Sequence, residues 1–428
     1  MPVEQLIPSL VSDFKSNILP QAIQFIITIS PILFVFIMAK IFWPIWVSYV
    51  RSKNFLSLKY TTLEIKLPKD TFKSPLAMEV FLQSLHNTAD GSLYAQYWKG
   101  ETRPWYSLEL VSIEGRVKFF IWTEDRRKGG VISGLYSQFP GVEVHENEDY
   151  ARSVHFDPNT MKIWGCEFKF TREDPYPIKT YVDYGLDKDP KEEFKVDPMT
   201  PLIEFLGNVG TNQQIWLQIL FRAHKKEQRK PGHWFKKTDL WQDEAKELVN
   251  EILIRDAKTK VSGEINPDTG YSKSPTISKG EQSIVESIER SVTKLAFDTG
   301  IRALYISKKE VFDGPFGIGG IIGNMKHFNT ESLNGFKPNG DVWHSRLDDP
   351  WKDYNNIRRD RYAREALATY KRRSFFYPAL YPFSRSKSMI LNTEELATVY
   401  HFPGSVAATP SLDRIPSKKA EAPSNLPV

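Results

Sequence analysis

The residues best placed to do chemistry in this chain are cationic. Within Trp351–Lys387, Lys352, Arg358, Arg359, Arg361, Arg364, Lys371, Arg372, Arg373, Arg385 and Lys387 stand against Asp353, Asp360 and Glu365. Ten cations against three acids is a local excess of +7, more than the +5 carried by all 428 residues. Tyr354, Tyr362, Tyr370, Phe375, Phe376, Tyr377 and Tyr381 interleave with them. Arginine forks hold phosphate oxygens and aromatic faces stack on bases, so the mixture suits contact with single strands or with a nucleic-acid backbone. It suits equally a protein partner, an anionic lipid headgroup, or a solvated basic helix with its aromatics in a core. The candidate contact residues are Arg358, Arg359, Arg361, Arg364, Lys371, Arg372 and Arg373. A second, shorter cluster, Lys225, Lys226, Arg229, Lys230, Lys236 and Lys237, reads as a loop.

Catalytic chemistry finds no such concentration. The glycine run Gly317, Gly319, Gly320, Gly323 precedes Asn324-Met325-Lys326 and lacks the lysine and hydroxyl that a phosphate-and-magnesium loop requires. Close backbone packing is the better reading of it. The eight histidines, at 86, 145, 155, 224, 233, 327, 344 and 401, show no paired metal-ligand spacing. The single cysteine, Cys166, rules out an intramolecular disulfide and a cysteine-ligated zinc site, and it sits in an apparent strand as an inert thiol. Carboxylate pairs such as Glu192-Glu193 and Asp348-Asp349 fall in polar loops. No enzyme activity, cofactor or metal is expected.

The elements that must position the basic segment begin with an anchor. Ser16–Ala39 holds no charge, and a helix over residues 21–50 is long enough to cross about 30 Å of hydrocarbon. Lys40, Trp43, Trp46 and Tyr49 then sit where a snorkelling cation and an aromatic belt belong, and they are the candidate membrane-interface residues. Pro31 and Pro44 would bend such a helix without ending it. A cleaved signal peptide fits poorly, because residues 1–17 carry Glu4 and Asp13 rather than a basic cluster. Lys40, Arg51, Lys53 and Lys59 precede the first acid, Glu64, whereas Lys15 alone lies before the span. The positive-inside rule therefore expects one pass through the cytoplasmic (inner) membrane, the N-terminus outside and the rest cytoplasmic. Residues 1–20 form an amphipathic leader, with Val3, Leu6, Ile7, Leu10, Val11 and Phe14 on one helical face.

Beyond the anchor the fold class expected is α+β: two ferredoxin-like α/β units, the second with a helical-hairpin insertion. In residues 58–155 the order is strand (Thr61–Leu67), helix (Ser74–His86), two strands joined at Glu114-Gly115, helix (Val131–Gln138) and strand (Val142–Glu146). Residues 156–402 repeat the logic with strands at Met161–Thr171, Gln213–Ala223 and Ile301–Ser307, and a helix at Pro201–Gly207. Asp174–Pro198 reads as an exposed loop. The insertion, 239–298, holds two amphipathic helices, the second opened by the capping box Ser278-Lys-Gly-Glu281. The basic-aromatic segment (351–387) follows, and residues 403–428 form a proline-rich tail for linking or docking.

Three stretches carry a resemblance: WYSLELVSIEGRVKFFIW (Trp105–Trp122) with LYSQFPGVEVHENEDY (Leu135–Tyr150), PLIEFLGNVGTNQQIWLQILFRAH (Pro201–His224), and ILNTEELATVYHFPG (Ile390–Gly404) followed by PSKKAEAPSNLP. Together they resemble the N-terminal, pre-motor region of conjugation-type type IV secretion ATPases of the FtsK/HerA-related DNA-pumping group. In that group the last stretch leads into the motor and its P-loop. This sequence stops where the motor would begin, so no ATPase residue is carried over and no ATP hydrolysis is expected. The resemblance implies a single-pass component of a type IV secretion or conjugation-like DNA or protein transfer apparatus, an adaptor for a P-loop ATPase supplied in trans. DNA and further copies of the chain are the other candidate partners. The competing expectation is a membrane-tethered scaffold of envelope or pilus assembly with no DNA role.

Overall fold

A computed structural model of the chain describes residues 19–68, 73–187, 197–229, 237–260, 278–340, 351, 353–377, 386–403 and 414–415. Residues 1–18 of the amphipathic leader expected over 1–20, the tip of the helical hairpin and most of the proline-rich tail lie outside the described residues. The chain divides into two compact units: residues up to Ser57 with Gly91–Thr102, and Leu58–Asp90 with everything from Arg103 onward.

The first unit is built on one helix, α1 (Leu19–Ser57), 39 residues long, which runs past both ends of the span expected from sequence. Its stretch Ile27–Ser57 reaches a mean hydropathy of 1.8, and none of its most apolar window is buried. It is long and apolar enough to cross a membrane. Both Pro31 and Pro44 lie inside it. Pro31 has no N–H for the carbonyl of Ile27, and the Ser30 hydroxyl donates to that oxygen instead, at 3.0 Å.

The second unit is a ten-stranded sheet with helices on it. Along the chain it runs β1 (Tyr60–Pro68), α2 (Pro75–Ser84), β2 (Tyr106–Ile113), β3 (Arg116–Glu124), α3 (Lys128–Gln138) and β4 (Glu143–Asn147). Then come β5 (Met161–Phe170), α4 (Met199–Gly207), β6 (Gln213–Ala223) and a two-residue ribbon of β7 (Gln228–Arg229) with β8 (Lys237–Thr238). The helical hairpin α5 (Leu240–Lys260) and α6 (Lys279–Thr293) follows, and then β9 (Ala296–Lys308), α7 (Gly320–Met325) and β10 (Phe336–Pro338). Last are α8 (Ile357–Arg372), β11 (Met389–Asn392), α9 (Thr393–Val399) and β12 (Arg414–Ile415).

The sheet order is β10-β5-β9-β6-β2-β3-β1, with β4 and β12 on β1 and β11 on β9. Read outward from the middle, the first half is β2-β3-β1-β4 and the second β6-β9-β5-β10. Each half thus places its four strands in one order, with a helix after its first strand and another after its third. The halves are not separate sheets. β2 and β6, each the edge strand of its half at the middle of the sheet, pair antiparallel from Tyr106↔Phe221 to Ile113↔Gln214. That pairing leaves neither with the open edge it would present alone.

Alternation along the strands sorts two cores. Leu108, Leu110, Phe119, Ile121, Leu217 and Ile219 face the layer formed by α2, α3, α4, α7 and α9. Val111, Phe120, Trp216, Leu304 and Ile306 face the opposite side, which α8 covers with Ala363, Ala366, Leu367 and Tyr370. Each half brings its two helices together over a glycine: a Cβ on Gly134 of α3 would lie 3.2 Å from Phe81 of α2, and one on Gly320 of α7 would lie 2.1 Å from Phe205 of α4. Within the glycine run Gly317 and Gly320 serve close packing, whereas Gly319 and Gly323 have open space around them.

One expectation is overturned here. Asp174–Pro198 is not simply an exposed loop, because Ile178, Tyr181 and Leu186 are buried in the main core. The Ile178 N–H donates to the Glu395 carboxyl at 2.9 Å, and the Tyr181 hydroxyl donates to Glu79 at 2.6 Å. Its polar composition hid three apolar anchors. Residues 188–196 of it lie outside the described residues.

Candidate membrane interface and basic helix

The membrane-interface candidates fall together near the C-terminal part of α1. Lys40, Trp43 and Tyr49 are exposed and Trp46 is half-buried. Trp46 stacks on Phe42 with ring centroids 6.1 Å apart and approaches Tyr49 at 6.2 Å. Within the same unit the segment Gly91–Thr102 packs on this stretch. Trp43 contacts Tyr97 and Trp98 at 5.3 and 6.1 Å, and the Trp46 indole N–H donates to the Tyr97 carbonyl at 3.1 Å. An unbroken belt of Trp and Tyr beside a long apolar helix is the composition of a bilayer's polar boundary, where an apolar ring and a polar tip are both satisfied.

The basic segment resolves into a helix with two unlike faces. Asp353 accepts the backbone N–H groups of Arg358 and Arg359 at 2.8 and 2.9 Å, closing the open N-terminus of α8. Of the seven candidate contact residues, Arg358, Arg361, Arg364 and Arg372 are exposed and Arg359 and Lys371 are half-buried. Arg361 pairs with Glu365 at 2.8 Å one turn on, and Arg364 lies 6.0 Å over the Phe156 ring. The Lys371 ammonium donates to the Val154 carbonyl. Burial lowers the Lys371 pKa from the ordinary lysine range. Trp351 and Tyr354 are also exposed, at 81% and 79%. Lys352, Tyr381 and Arg385 lie outside the described residues.

Arg373 stands apart. It is buried, 1% exposed, in the left-handed backbone region (φ 47°) that ends α8, and its guanidinium turns into the sheet rather than toward a partner. Nε and Nη2 donate to Glu109 at 2.9 and 3.1 Å, and Nη1 and Nη2 donate to Asp149 at 2.5 and 2.8 Å. The Trp105 indole donates to the Arg373 carbonyl at 2.9 Å. Glu109 also accepts from Ser107, Tyr150 and the Gln218 amide at 2.7, 2.7 and 2.8 Å.

Around this pair the sheet carries a row of polar residues. Glu109 of β2 is opposite Gln218 of β6, which is opposite Arg302 of β9, which is opposite Glu167 of β5. All four are fully buried. Arg302 Nη2 donates to the Ser374 carbonyl at 2.7 Å. The row crosses the junction of the two halves, and the C-terminal end of α8 is bonded to it. Burial would lower the Arg373 pKa, but Glu109 and Asp149 hold it well above the ordinary arginine range. Burial likewise opposes the Asp149 carboxylate, and Arg373 keeps it below the usual carboxylate range all the same. Arg302, whose nearest carboxylate oxygen on Glu167 is 3.9 Å away, is lowered by burial to about 10. Such a network, bonded on most of its sides, fixes geometry, although the buried Gln218 Oε1 has no hydrogen-bond partner among the described residues.

The aromatics of the segment divide the same way. Tyr370, Phe375 and Tyr377 are buried, and Tyr370 meets the Tyr150 hydroxyl at 2.8 Å. Helical phase held the signal: from Ala363 the positions 366, 367 and 370 lie inward, and continuing that stripe reaches Arg373. Cys166 is buried, and burial pushes its thiol pKa up, so it is unreactive in the folded chain. Among the described residues no group of three or more His, Cys, Asp or Glu is placed to hold a metal ion.

The sequence matches, over residues 54–415, a family model described as a domain of unknown function (DUF8128). No curated protein matches it.

Proposed function

The chain belongs to the DUF8128 family, and we propose that it is a single-pass membrane component of a type IV secretion or conjugation-like transfer apparatus. In this reading it acts without catalysis, as anchor and adaptor for a separate P-loop ATPase. The observation that carries the reading is the apolar helix α1, which ends at Ser57 and leads within three residues into the first strand of a folded α+β unit, at Tyr60. A motor that pushes a polymer needs a fixed point, and a folded unit that follows a membrane helix in the chain supplies a tether.

The resemblance that suggested the apparatus rests on framework. WYSLELVSIEGRVKFFIW is the β2–β3 hairpin, PLIEFLGNVGTNQQIWLQILFRAH is α4 with β6, and ILNTEELATVYHFPG contains β11 with α9. The two halves of the sheet are read as two ferredoxin-like units joined edge to edge. In support, β4-β1-β3-β2 and β10-β5-β9-β6 are the same permutation of four strands. The helical hairpin α5–α6 is then an insertion between the second and third strands of the second unit. In support of the N-terminus outside and the sheet unit in the cytoplasm, Lys40, Arg51, Lys53 and Lys59 follow the span in sequence, whereas Lys15 alone precedes it.

The exposed face of α8 is read as the surface that meets the transported DNA or the motor. The full chain in nanodiscs of neutral lipid tests this against single-stranded DNA. Each phosphate contact steepens the salt dependence by about 0.7 in the log–log slope, so replacing Arg358, Arg361, Arg364 and Arg372 with Gln should flatten it and weaken binding. Unchanged binding in the quadruple variant rejects the DNA contact and leaves the ATPase as the partner to test. Binding to anionic vesicles by α8, with no DNA affinity, favours the scaffold reading.

A further inference from the structure

We propose that Gly91–Gly100 is a second membrane-contacting element, seated at the lipid headgroup–acyl boundary beside α1. It rests on the reading of α1 as a membrane span. The segment reads Gly-Ser-Leu-Tyr-Ala-Gln-Tyr-Trp-Lys-Gly, bracketed by two glycines in the left-handed region at φ 76° and 73°. At ten residues it is too short to span, and no amphipathic pattern marks it as a core helix.

Its outward side chains are the wrong ones for water. Leu93, Tyr94 and Trp98 are 71%, 61% and 54% exposed. Tyr94 and Trp98 stack with centroids 6.3 Å apart, and the Lys99 ammonium sits 5.9 Å from the Tyr94 ring. Two rings, one leucine and one cation in a row match a boundary that takes apolar surface on one side and phosphate on the other.

Its position is fixed by α1. Beyond the Trp46–Tyr97 bond, the Asn54 amide donates to the Gly100 carbonyl at 3.0 Å. Gly100 lies so close to the helix that a Cβ there would meet the Val50 carbonyl oxygen at 2.5 Å. The segment is therefore held alongside Trp43–Asn54, the stretch whose own Trp43, Trp46 and Tyr49 were read as the interface. A 39-residue helix is about 58 Å long by its rise per residue, well over the hydrocarbon thickness. Something must determine which part of it lies in the bilayer, and this collar sets one boundary. A protein partner is disfavoured by continuity: the exposed rings adjoin an apolar helix surface that lipid already covers.

Single cysteines at Leu93, Trp98, Phe36 and Glu310, in a Cys166→Ala full-length chain in nanodiscs, test this with a membrane-impermeant maleimide. Leu93→Cys is the safe variant, because its side chain is mostly exposed. Cysteines at 93 and 98 should label about tenfold or more slowly than the one at 310, because labelling needs an accessible thiolate, and should approach its rate once detergent dissolves the bilayer. Labelling at 93 and 98 as fast as at 310, with 36 protected, overturns this inference and leaves the span intact. Fast labelling at 36 as well removes the span and, with it, this inference.

Discussion

The two halves of the sheet share a strand order and differ in what is inserted into them. The first half admits Gly91–Thr102 between α2 and β2, a short piece rich in exposed Leu, Tyr and Trp. The second admits α5 and α6 between β6 and β9, a charged hairpin with a small core of its own built from Ala245, Leu248, Ile252 and Ile288. The difference teaches where function sits. A repeated framework holds two unlike insertions, and α8 crosses the back of both halves with one face committed to them and the other exposed.

If the framework is common property, damage at its junction should be the largest effect. Glu109→Ala leaves Arg373 buried with half its carboxylate partners, which should cost about 3–5 kcal/mol of unfolding free energy. Denaturant unfolding of the full chain in nanodiscs measures it. A loss under about 1 kcal/mol would mean that the halves do not depend on this network.

Helix α9, which lies outside both four-strand halves and bonds through Thr393 to Glu79 of α2, carries a pH dependence of its own. Burial pushes Glu395 of α9 up to about 8, against the pull of backbone N–H groups from Asn392 and Ile178. Its pKa is raised in the folded state, so its contribution is fully present below the ordinary glutamate range and is lost as pH rises through about 8. Glu395→Gln should flatten the fall in unfolding temperature between about pH 5 and about pH 8. A parallel curve for the variant refutes the assignment.

The paired glycines sharpen the comparison further. Gly320→Ala forces a Cβ against Phe205 at 2.1 Å and should cost about 1–3 kcal/mol. Gly134→Ala meets Phe81 at 3.2 Å, which a small shift relieves, and should cost about 1 kcal/mol at most. Gly323→Ala, with open space around it, should be neutral or mildly stabilising. Reversal of the first two in thermal melts would break the correspondence between the halves. Smallest of all, Arg361→Gln or Arg372→Gln on the outer face of α8 should leave the unfolding temperature essentially unchanged.

Much of the framework was legible because its signals are local. The Glu114-Gly115 turn appears with both residues at positive φ, 51° and 83°, as a tight hairpin demands. Ser278 caps α6 by accepting the Glu281 N–H at 3.3 Å. β11 and α9 escaped because every residue of α9 is buried, which erases the apolar stripe. Their capping box, Asn392 with Glu395, was present in the sequence as a readable signal. Pairing of β2 with β6 was not legible, since nothing local distinguishes an edge that is paired from one left open. Arg372 and Arg373 are adjacent and chemically identical, and their separation into surface and core depends on Glu109 and Asp149, more than 200 residues earlier in the chain.

The anchor-and-adaptor reading is tested most directly by capturing the full-length chain from cross-linked native membranes and identifying what is bound to it. Recovery of a P-loop ATPase in amounts comparable to the captured chain is the expected result. Membranes that yield the chain with no such ATPase, or a purified chain that hydrolyses ATP by itself, would contradict it.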